Sequence, residues 1–175
     1  MPVREAISRL TALGALTVVS GRSIGVPKLG PEELADLRRV RLQVEATAVR
    51  WATENIDDEF IGRLQGLLDA MEEAENLGRV KEFIHSNYDF HFTIYSQARS
   101  PVLLEIISNM WLRVNPHFHL LHRYGHYRVS NRQHRALVEA ICARDAEAAV
   151  RSLHEDINSA YEVIRASLER QKATG

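Results

Sequence analysis

The chain of 175 residues has only one cysteine, Cys142, so it cannot form an internal disulfide bond. A small fold held together by disulfides is therefore excluded, and a reducing, cytoplasmic environment is expected. Cys142 stands in an apolar helical stretch, which predicts a buried and unreactive thiol rather than a catalytic nucleophile.

Long apolar runs are also missing from the sequence. No segment approaches the roughly 18–20 apolar residues that span a bilayer, and no signal peptide is expected. The sequence therefore predicts no membrane association. Hydrophobic residues make up 45% of the chain and charged residues 26%, which is typical of a globular protein.

Proline and glycine are scarce, with 5 and 9 residues, and they help to mark the ends of helices. After Pro31, apolar residues recur at helical spacing almost throughout. The predicted helices cover residues 31–55, 57–76, 79–98, 101–124, 129–143 and 146–171. Pro116 lies inside the fourth of them and predicts a kink near Asn115. The fold class expected is all-α, an antiparallel bundle of about six helices.

The first 30 residues differ from this body in both charge and pattern. They contain four cationic residues and one acidic residue, whereas the whole chain has a net charge of −1. A short helix is predicted over residues 2–13, and β-prone residues 16–19 and 24–26 flank a turn, which predicts a hairpin. A basic end on an acidic body favours contact with nucleic acid.

Several polar residues lie where helical spacing calls for apolar core residues. Asn87 and His91 are one turn apart on an otherwise apolar face. If the last two helices form a hairpin that turns at Asp145, His134 and Asp156 are each eleven residues from the turn, and both lie about 16 Å from it. A buried carboxylate requires a partner, so we expect His134 and Asp156 to meet.

Two interpretations of this group remain open. Imidazoles, a carboxylate and the Asn87–His91 pair can form the ligand set of a divalent metal ion such as zinc, nickel or manganese. Alternatively, His91 and His134 are hydrogen-bonded core residues, and Asp156 simply pairs with His134.

Two arginines are candidates for binding an anionic ligand. Arg41 shares a helix face with apolar residues, which indicates an inward cation awaiting an anion; the alternative is a pair with Glu45 at the edge of the surface. Arg113, on the fourth predicted helix, is a second candidate. His119 belongs to a group of four histidines within residues 117–126 and is expected to line a pocket or lie on the surface.

Four segments resemble the GntR family of transcription regulators, in the right order and spacing. The first, PVREAISRLTALGALTVVSGRSIGV, resembles the second half of that family's winged helix-turn-helix. The others resemble the FCD ligand-binding domain of the FadR subfamily: PEELADLRRVRLQVEATAVRWA, NYDFHFTIYSQARSPVLLEII and HRALVEAICARDAEAAVRSLHEDI. The resemblance implies a partial winged helix-turn-helix over residues 1–28 and an effector-binding helical domain over residues 29–175.

The resemblance also implies a metal site. Metal-binding members of the subfamily use an acid or amide and a histidine from one helix, together with two histidines from later helices. The matching residues here are Asn87, His91, His134 and Asp156. Asn87 stands where aspartate is common and Asp156 where histidine is usual, so the set keeps a single carboxylate.

The family further implies a homodimer whose winged domains bind a palindromic operator DNA. By this resemblance, Arg4 and Arg9 contact bases or phosphates from the recognition helix, and Arg22 reaches the DNA from the wing. A small carboxylate effector in the bundle cavity would then shift the spacing of the two DNA-binding heads. The effector-binding residues expected are Arg41, Arg113 and His119.

Two alternatives to a DNA-binding regulator remain. No counterpart of the first two helices of the DNA-binding motif accompanies these segments, which leaves an effector-sensing or dimerisation module without DNA binding. The other alternative is a metal-dependent hydrolase, since histidines and a carboxylate with an open coordination position can activate water. No nucleophile motif or general base accompanies the predicted ligands, so the sequence predicts a regulator and no enzyme.

Overall fold

The computed structural model describes residues 2–21, 23–27 and 29–173. Within these ranges, every helix is too short or too polar to cross a membrane. The chain begins with a helix and a two-stranded antiparallel hairpin: α1 (Pro2–Ala12), β1 (Thr17–Ser20) and β2 (Ser23–Gly25).

The end of α1 and the register of the hairpin follow from local sequence. Gly14 has a φ of 73°, a left-handed conformation that glycine adopts without strain and that closes the helix. Val18 lies opposite Ile24 in the hairpin, and both side chains are exposed. None of the side chains of α1 is buried, so this segment adds nothing to the core.

Seven helices follow and form the bundle. Their bounds are α2 (Pro31–Glu54), α3 (Asp58–Asn76), α4 (Val80–Gln97), α5 (Pro101–Val114), α6 (His119–Arg123), α7 (Tyr127–Cys142) and α8 (Ala146–Ala173). The all-α bundle that the helical spacing predicts is confirmed, and most boundaries lie within two residues of the expected ones.

Three of these helices begin at a capping side chain. Asp57 accepts a hydrogen bond from the backbone N–H of Phe60, and Ser100 does the same for Leu103. Asp145 accepts from the backbone N–H of Ala148 at the start of α8. Each cap satisfies a backbone donor that has no partner within its own helix, which explains why the helices begin there.

The fourth predicted helix is divided into two. It covers α5 and α6, with one turn of 3₁₀ helix between them at Asn115–His117. Pro116 has no backbone N–H, and its ring clashes with the carbonyl one turn earlier, so α-helical geometry cannot continue through it. The break expected near Asn115 is confirmed, and it adds one helix to the predicted count.

The core is one continuous apolar cluster inside the bundle. The helices α7 and α8 are joined by only three residues and pack side by side, and α8 also packs along α2. The helix α4 packs against α3 and α2. The interior faces of α2, α4, α7 and α8 therefore converge, and this convergence positions the site described below.

Cys142 departs from the prediction, because its side chain is exposed rather than buried. Ile141 takes the core position at the end of α7 and is fully buried. One residue further along a helix is a rotation of about 100°, which turns Cys142 towards solvent.

Candidate metal centre

Three side chains from three helices meet in the interior of the bundle. They are His91 from α4, His134 from α7 and Asp156 from α8, and all three are buried. The Nε2 atoms of the two histidines are 3.2 Å apart. Each Nε2 atom also lies 3.5 Å from one carboxylate oxygen of Asp156. We call these three residues the His–His–Asp cluster.

The hairpin of α7 and α8 explains how two members of the cluster meet. Asp145 caps α8 at the turn, and His134 and Asp156 lie equally far from it on the two helices. Their contact shows that they are level, as the spacing predicts. His154 faces elsewhere, because its Nε2 atom lies 2.8 Å from the backbone oxygen of Leu42.

A second group of buried polar residues adjoins His91. The carboxylate of Glu45 on α2 accepts hydrogen bonds from Arg41 at 2.5 and 3.1 Å, from the Tyr95 hydroxyl at 2.5 Å and from the Trp111 indole at 3.2 Å. The Tyr95 oxygen lies 3.2 Å from Nδ1 of His91. A line of contacts therefore joins Arg41 to the cluster.

For two members of the cluster, His91 and Asp156, the electrostatics favour the protonation states that bind metal ions. Burial lowers the pKa of His91, and the attraction of Asp156 offsets this only in part, so the imidazole is neutral at neutral pH. Burial alone would raise the pKa of Asp156, but the two neighbouring imidazoles, His134 more than His91, outweigh it and hold that pKa well below its ordinary value. Neutral imidazoles and ionised carboxylates are the ligand forms of these groups.

The spacing of the donor atoms fits a small divalent ion. A tetrahedral site with bonds of about 2.0–2.2 Å to nitrogen and oxygen has edges of about 3.3–3.6 Å between neighbouring ligand atoms. The 3.2 Å between the two nitrogens is close to such an edge, and each nitrogen lies 3.5 Å from a different oxygen of Asp156. The residues present therefore suit a small divalent metal ion.

Asn87, the fourth predicted ligand, lies on α4 one turn before His91 and is buried. The amide oxygen of asparagine is a neutral ligand for metal ions that bind carbonyl oxygens. The only anionic donor of the predicted ligand set is therefore Asp156. Among the described residues, Nδ1 of His134 is buried without any hydrogen-bond partner.

The three predicted effector-binding residues do not lie together. Arg41 points inward as expected, but Glu45 already supplies its anion, and the pair is buried rather than at the surface edge. Arg113 is partly exposed and pairs with Glu33 of α2. His119 is exposed, and its Nδ1 atom lies 2.8 Å from the backbone oxygen of Pro116.

The predicted DNA-contacting residues lie on the amino-terminal segment. Arg4 and Arg9 are exposed on α1, and Arg9 lies 3.6 Å from Glu5. Arg22 lies outside the described residues.

Three functional candidates were not selected by sequence reasoning: Glu45 as an acceptor at the centre of the polar group, Tyr95 and Trp111. A signal for Tyr95 existed, because it follows His91 by four residues and so shares its helix face. Glu45 was considered only as a surface partner of Arg41. Trp111 carried no polar signal, since an apolar helix uses tryptophan mainly for packing.

Comparison with known protein families identifies the family of this chain. Residues 36–159 match the family model of the FCD domain. The chain belongs to the FCD domain family. The HTH-type transcriptional regulator McbR of Escherichia coli (strain K12) is 32% identical over 149 residues, 83% of this FCD protein and 67% of McbR. The HTH-type transcriptional repressor NanR of Cronobacter sakazakii is 26% identical over 192 residues, covering 98% of this chain and 73% of NanR.

Solved structures agree with this assignment. The structure of E. coli McbR/YncC has a TM-score of 0.87 at 29% identity and covers 94% of this FCD protein and 83% of that chain. The metal-free FCD domain of TM0439 has a TM-score of 0.70 at 19% identity and shares the fold. The match covers 82% of this FCD protein and 99% of that chain. The resemblance to GntR-type regulators is thus confirmed, and the protein is a transcriptional regulator, as its relatives are.

Proposed function

We propose that this FCD regulator binds a divalent metal ion through His91, His134 and Asp156, with Asn87 as a fourth ligand, and that a small carboxylate effector controls its binding to operator DNA. The observation that carries the proposal is the convergence of two imidazole nitrogens and a carboxylate in the core at ligand-like spacing. Zinc, nickel and manganese are the ions to test, because imidazole and carboxylate ligands suit all three.

The charges of the site support an anionic effector. Arg41 and Glu45 neutralise each other, so Asp156 is the remaining buried anion of the site. A bound divalent ion supplies a Lewis-acidic centre and leaves a net charge of about +1 with Asp156. A monocarboxylate neutralises that charge, whereas a neutral compound leaves it buried and uncompensated.

Metal content measures the first part of the proposal. The wild-type chain is stripped with a chelator, dialysed against zinc, nickel or manganese, and examined by elemental analysis and calorimetric titration. We expect one ion per chain for wild type and almost none for His134→Ala, since the variant removes one of the two imidazole ligands. His126→Ala is the matched control, because His126 is another buried histidine of this bundle and contacts Ser159 instead of the cluster.

Two results would contradict the metal site. One is a wild-type chain that takes up none of the three ions. The other is a metal occupancy that His134→Ala and His126→Ala lower equally, which would mean that general destabilisation and not ligand loss is responsible.

Adding short hydroxy acids and their methyl esters to the metal-loaded protein tests the effector class, since only the acids should raise the melting temperature.

For DNA, we propose that residues 1–28 form the contact surface, that residues 29–175 form the effector domain, and that the protein acts as a homodimer. Arg4 and Arg9 lie exposed on α1, where their charges are available to phosphates or bases. Electrophoretic shift with operator fragments should show a complex that Arg4→Ala weakens. An unchanged shift with both Arg4→Ala and Arg9→Ala would place the contact elsewhere. We expect no catalytic activity.

A further inference from the structure

One line of buried hydrogen bonds runs from α2 to the His–His–Asp cluster. It passes from Arg41 to Glu45, from Glu45 to the hydroxyl of Tyr95, and from Tyr95 to Nδ1 of His91. Arg41, Glu45, Tyr95 and His91 have at most 6% of their surface exposed, so bulk water does not compete for these contacts. The direction of each hydrogen bond can therefore be worked out from donor and acceptor chemistry alone.

The Glu45 end of the line is ionised. Two guanidinium nitrogens of Arg41 donate to its two oxygens, and the indole N–H of Trp111 donates to one of them. An arginine keeps its charge in proteins, so its close partner stays a carboxylate. An ionised carboxylate can only accept hydrogen bonds, and it must therefore accept the bond from Tyr95 as well.

The hydroxyl of Tyr95 has one proton for two neighbours. Glu45 is the nearer, at 2.5 Å, and as a carboxylate it has no proton to offer. The proton of Tyr95 therefore points to Glu45, and a lone pair of the same oxygen faces Nδ1 of His91 at 3.2 Å. Only a protonated Nδ1 makes a favourable contact with that lone pair, because two lone pairs would repel each other.

We infer that Arg41, Glu45 and Tyr95 form a positioning relay that holds His91 in the tautomer with its proton on Nδ1. The lone pair of His91 Nε2 then points into the cluster, where Nε2 of His134 and the carboxylate of Asp156 lie at 3.2 and 3.5 Å. The consequence for metal binding rests on the function proposed above, whereas the tautomer itself does not.

The second histidine of the cluster lacks such a relay. Within the described part of the chain, Nδ1 of His134 is buried and has no partner, so nothing orients its proton through that atom. The relay thus orients one imidazole of the pair through Nδ1. In the metal-free chain the other must carry its proton on Nε2, because that atom faces the lone pair of His91 Nε2 at 3.2 Å. It also gives Arg41 a role other than binding an effector directly: Arg41 keeps Glu45 ionised.

Nitrogen-15 NMR of the chelator-treated wild-type chain tests the tautomer without any metal. Long-range correlations distinguish a protonated Nδ1 from a protonated Nε2, and the His91 signals are assigned by their loss in His91→Gln. We expect His91 with its proton on Nδ1. Tyr95→Phe removes the accepting oxygen and should give a mixture of the two tautomers. Tyr88→Phe is the matched control, because Tyr88 lies on the same helix and its ring stacks on Phe92.

The consequence for binding is measured by competition with a chromophoric zinc chelator. We expect Tyr95→Phe to weaken zinc binding by about ten- to hundredfold, as is usual when a partner of a ligating histidine is removed. Tyr88→Phe should bind zinc like wild type, and thermal melts of both variants report their folding. If excess zinc restores full occupancy of Tyr95→Phe and the fold of the variant is unchanged, the result supports a role of Tyr95 in positioning His91.

Two outcomes would overturn the relay: a wild-type His91 protonated on Nε2, or a Tyr95→Phe variant that keeps both the Nδ1 tautomer and the wild-type zinc affinity. If the wild-type chain binds no zinc, the proposed metal function fails. In that case the NMR experiment still decides the tautomer, so the two failures can be told apart.

Discussion

Two arginine–glutamate pairs with the same spacing of four residues have opposite environments. In α1, Glu5 and Arg9 lie 3.6 Å apart, with 70% and 78% of their side chains exposed. In α2, Arg41 and Glu45 are 2.5 Å apart, with 7% and 0% exposed. Glutamate before arginine is the order that an isolated helix prefers, so local helical preference favours the α1 pair. The tighter contact nevertheless forms in α2.

The difference comes from what covers each helix. The helices α8, α4 and α5 pack on α2 and exclude water from Glu45, whereas none of the side chains of α1 is buried. In water, ion pairs are screened and contribute little. In the core, the charges of Arg41 and Glu45 are strongly coupled, and each needs the other to remain buried. The same two residue types at the same spacing therefore form a solvated surface pair in one region and part of the candidate site in the other.

Breaking the buried pair should have the largest effect. Glu45→Ala leaves the Arg41 guanidinium buried without its carboxylate and removes the acceptor of Tyr95 and Trp111. We expect the free energy of unfolding to fall by about 3–5 kcal/mol. Urea unfolding of wild type and variant measures the change. A loss below about 1 kcal/mol would mean that water reaches Arg41 and that the pair is not a core element.

Acid should weaken the bundle to a smaller extent. Burial lowers the pKa of His91, His117 and His126 below the ordinary 6.5, so the unfolded chain binds more protons than the folded one as the pH falls below that value. Stability is therefore lost on acidification, by up to about 1.4 kcal/mol per pH unit for each histidine. Residues 1–30 contain no histidine, so this effect belongs to the bundle.

Urea midpoints of the metal-free protein, measured from pH 7.5 down to pH 5, check this sign. A midpoint that rises on acidification would contradict it. The depressed pKa of Asp156 acts in the same direction but at lower pH, because the carboxylate of the unfolded chain takes up a proton near its ordinary pKa of 3.8 while that of the folded chain stays ionised.

The exposed pair should have the smallest effect. Glu5→Ala removes a solvated contact on α1, and we expect the free energy of unfolding to change by about 0.5 kcal/mol or less. The urea experiment used for Glu45→Ala provides the direct comparison. A loss as large as that of Glu45→Ala would show that α1 packs against the bundle in solution.

Much of the fold could be predicted because its signals are local. Ser100 and Asp145 are caps in the sequence and act as caps in the structure, and Pro116 breaks a helix by its own chemistry. Cys142 shows the limit of this reasoning. An apolar neighbourhood does not say which residue faces inward when the pattern ends, and Ile141 occupies that position instead.

The site was predictable where it depends on spacing along a hairpin. His134 and Asp156 could be placed level because the two helices share a turn. The place of Glu45 could not be predicted, because its partners Tyr95 and Trp111 come from helices whose packing on α2 has no signal in local sequence. Likewise, nothing in the sequence distinguishes an Arg41 that awaits a ligand from one that is already paired.

By itself, the sequence determined the helices, their ends, the family resemblance and the candidate residues, because each depends on neighbours within a few turns or on matching motifs. Only the tertiary structure decided which polar residues are buried together. That outcome depends on how α2, α4, α5, α7 and α8 pack, since burial and the loss of water control the strength of every charge interaction in the cluster. Glu5 and Glu45 have the same chemistry, and their different surroundings separate a solvated side chain from the centre of a buried network.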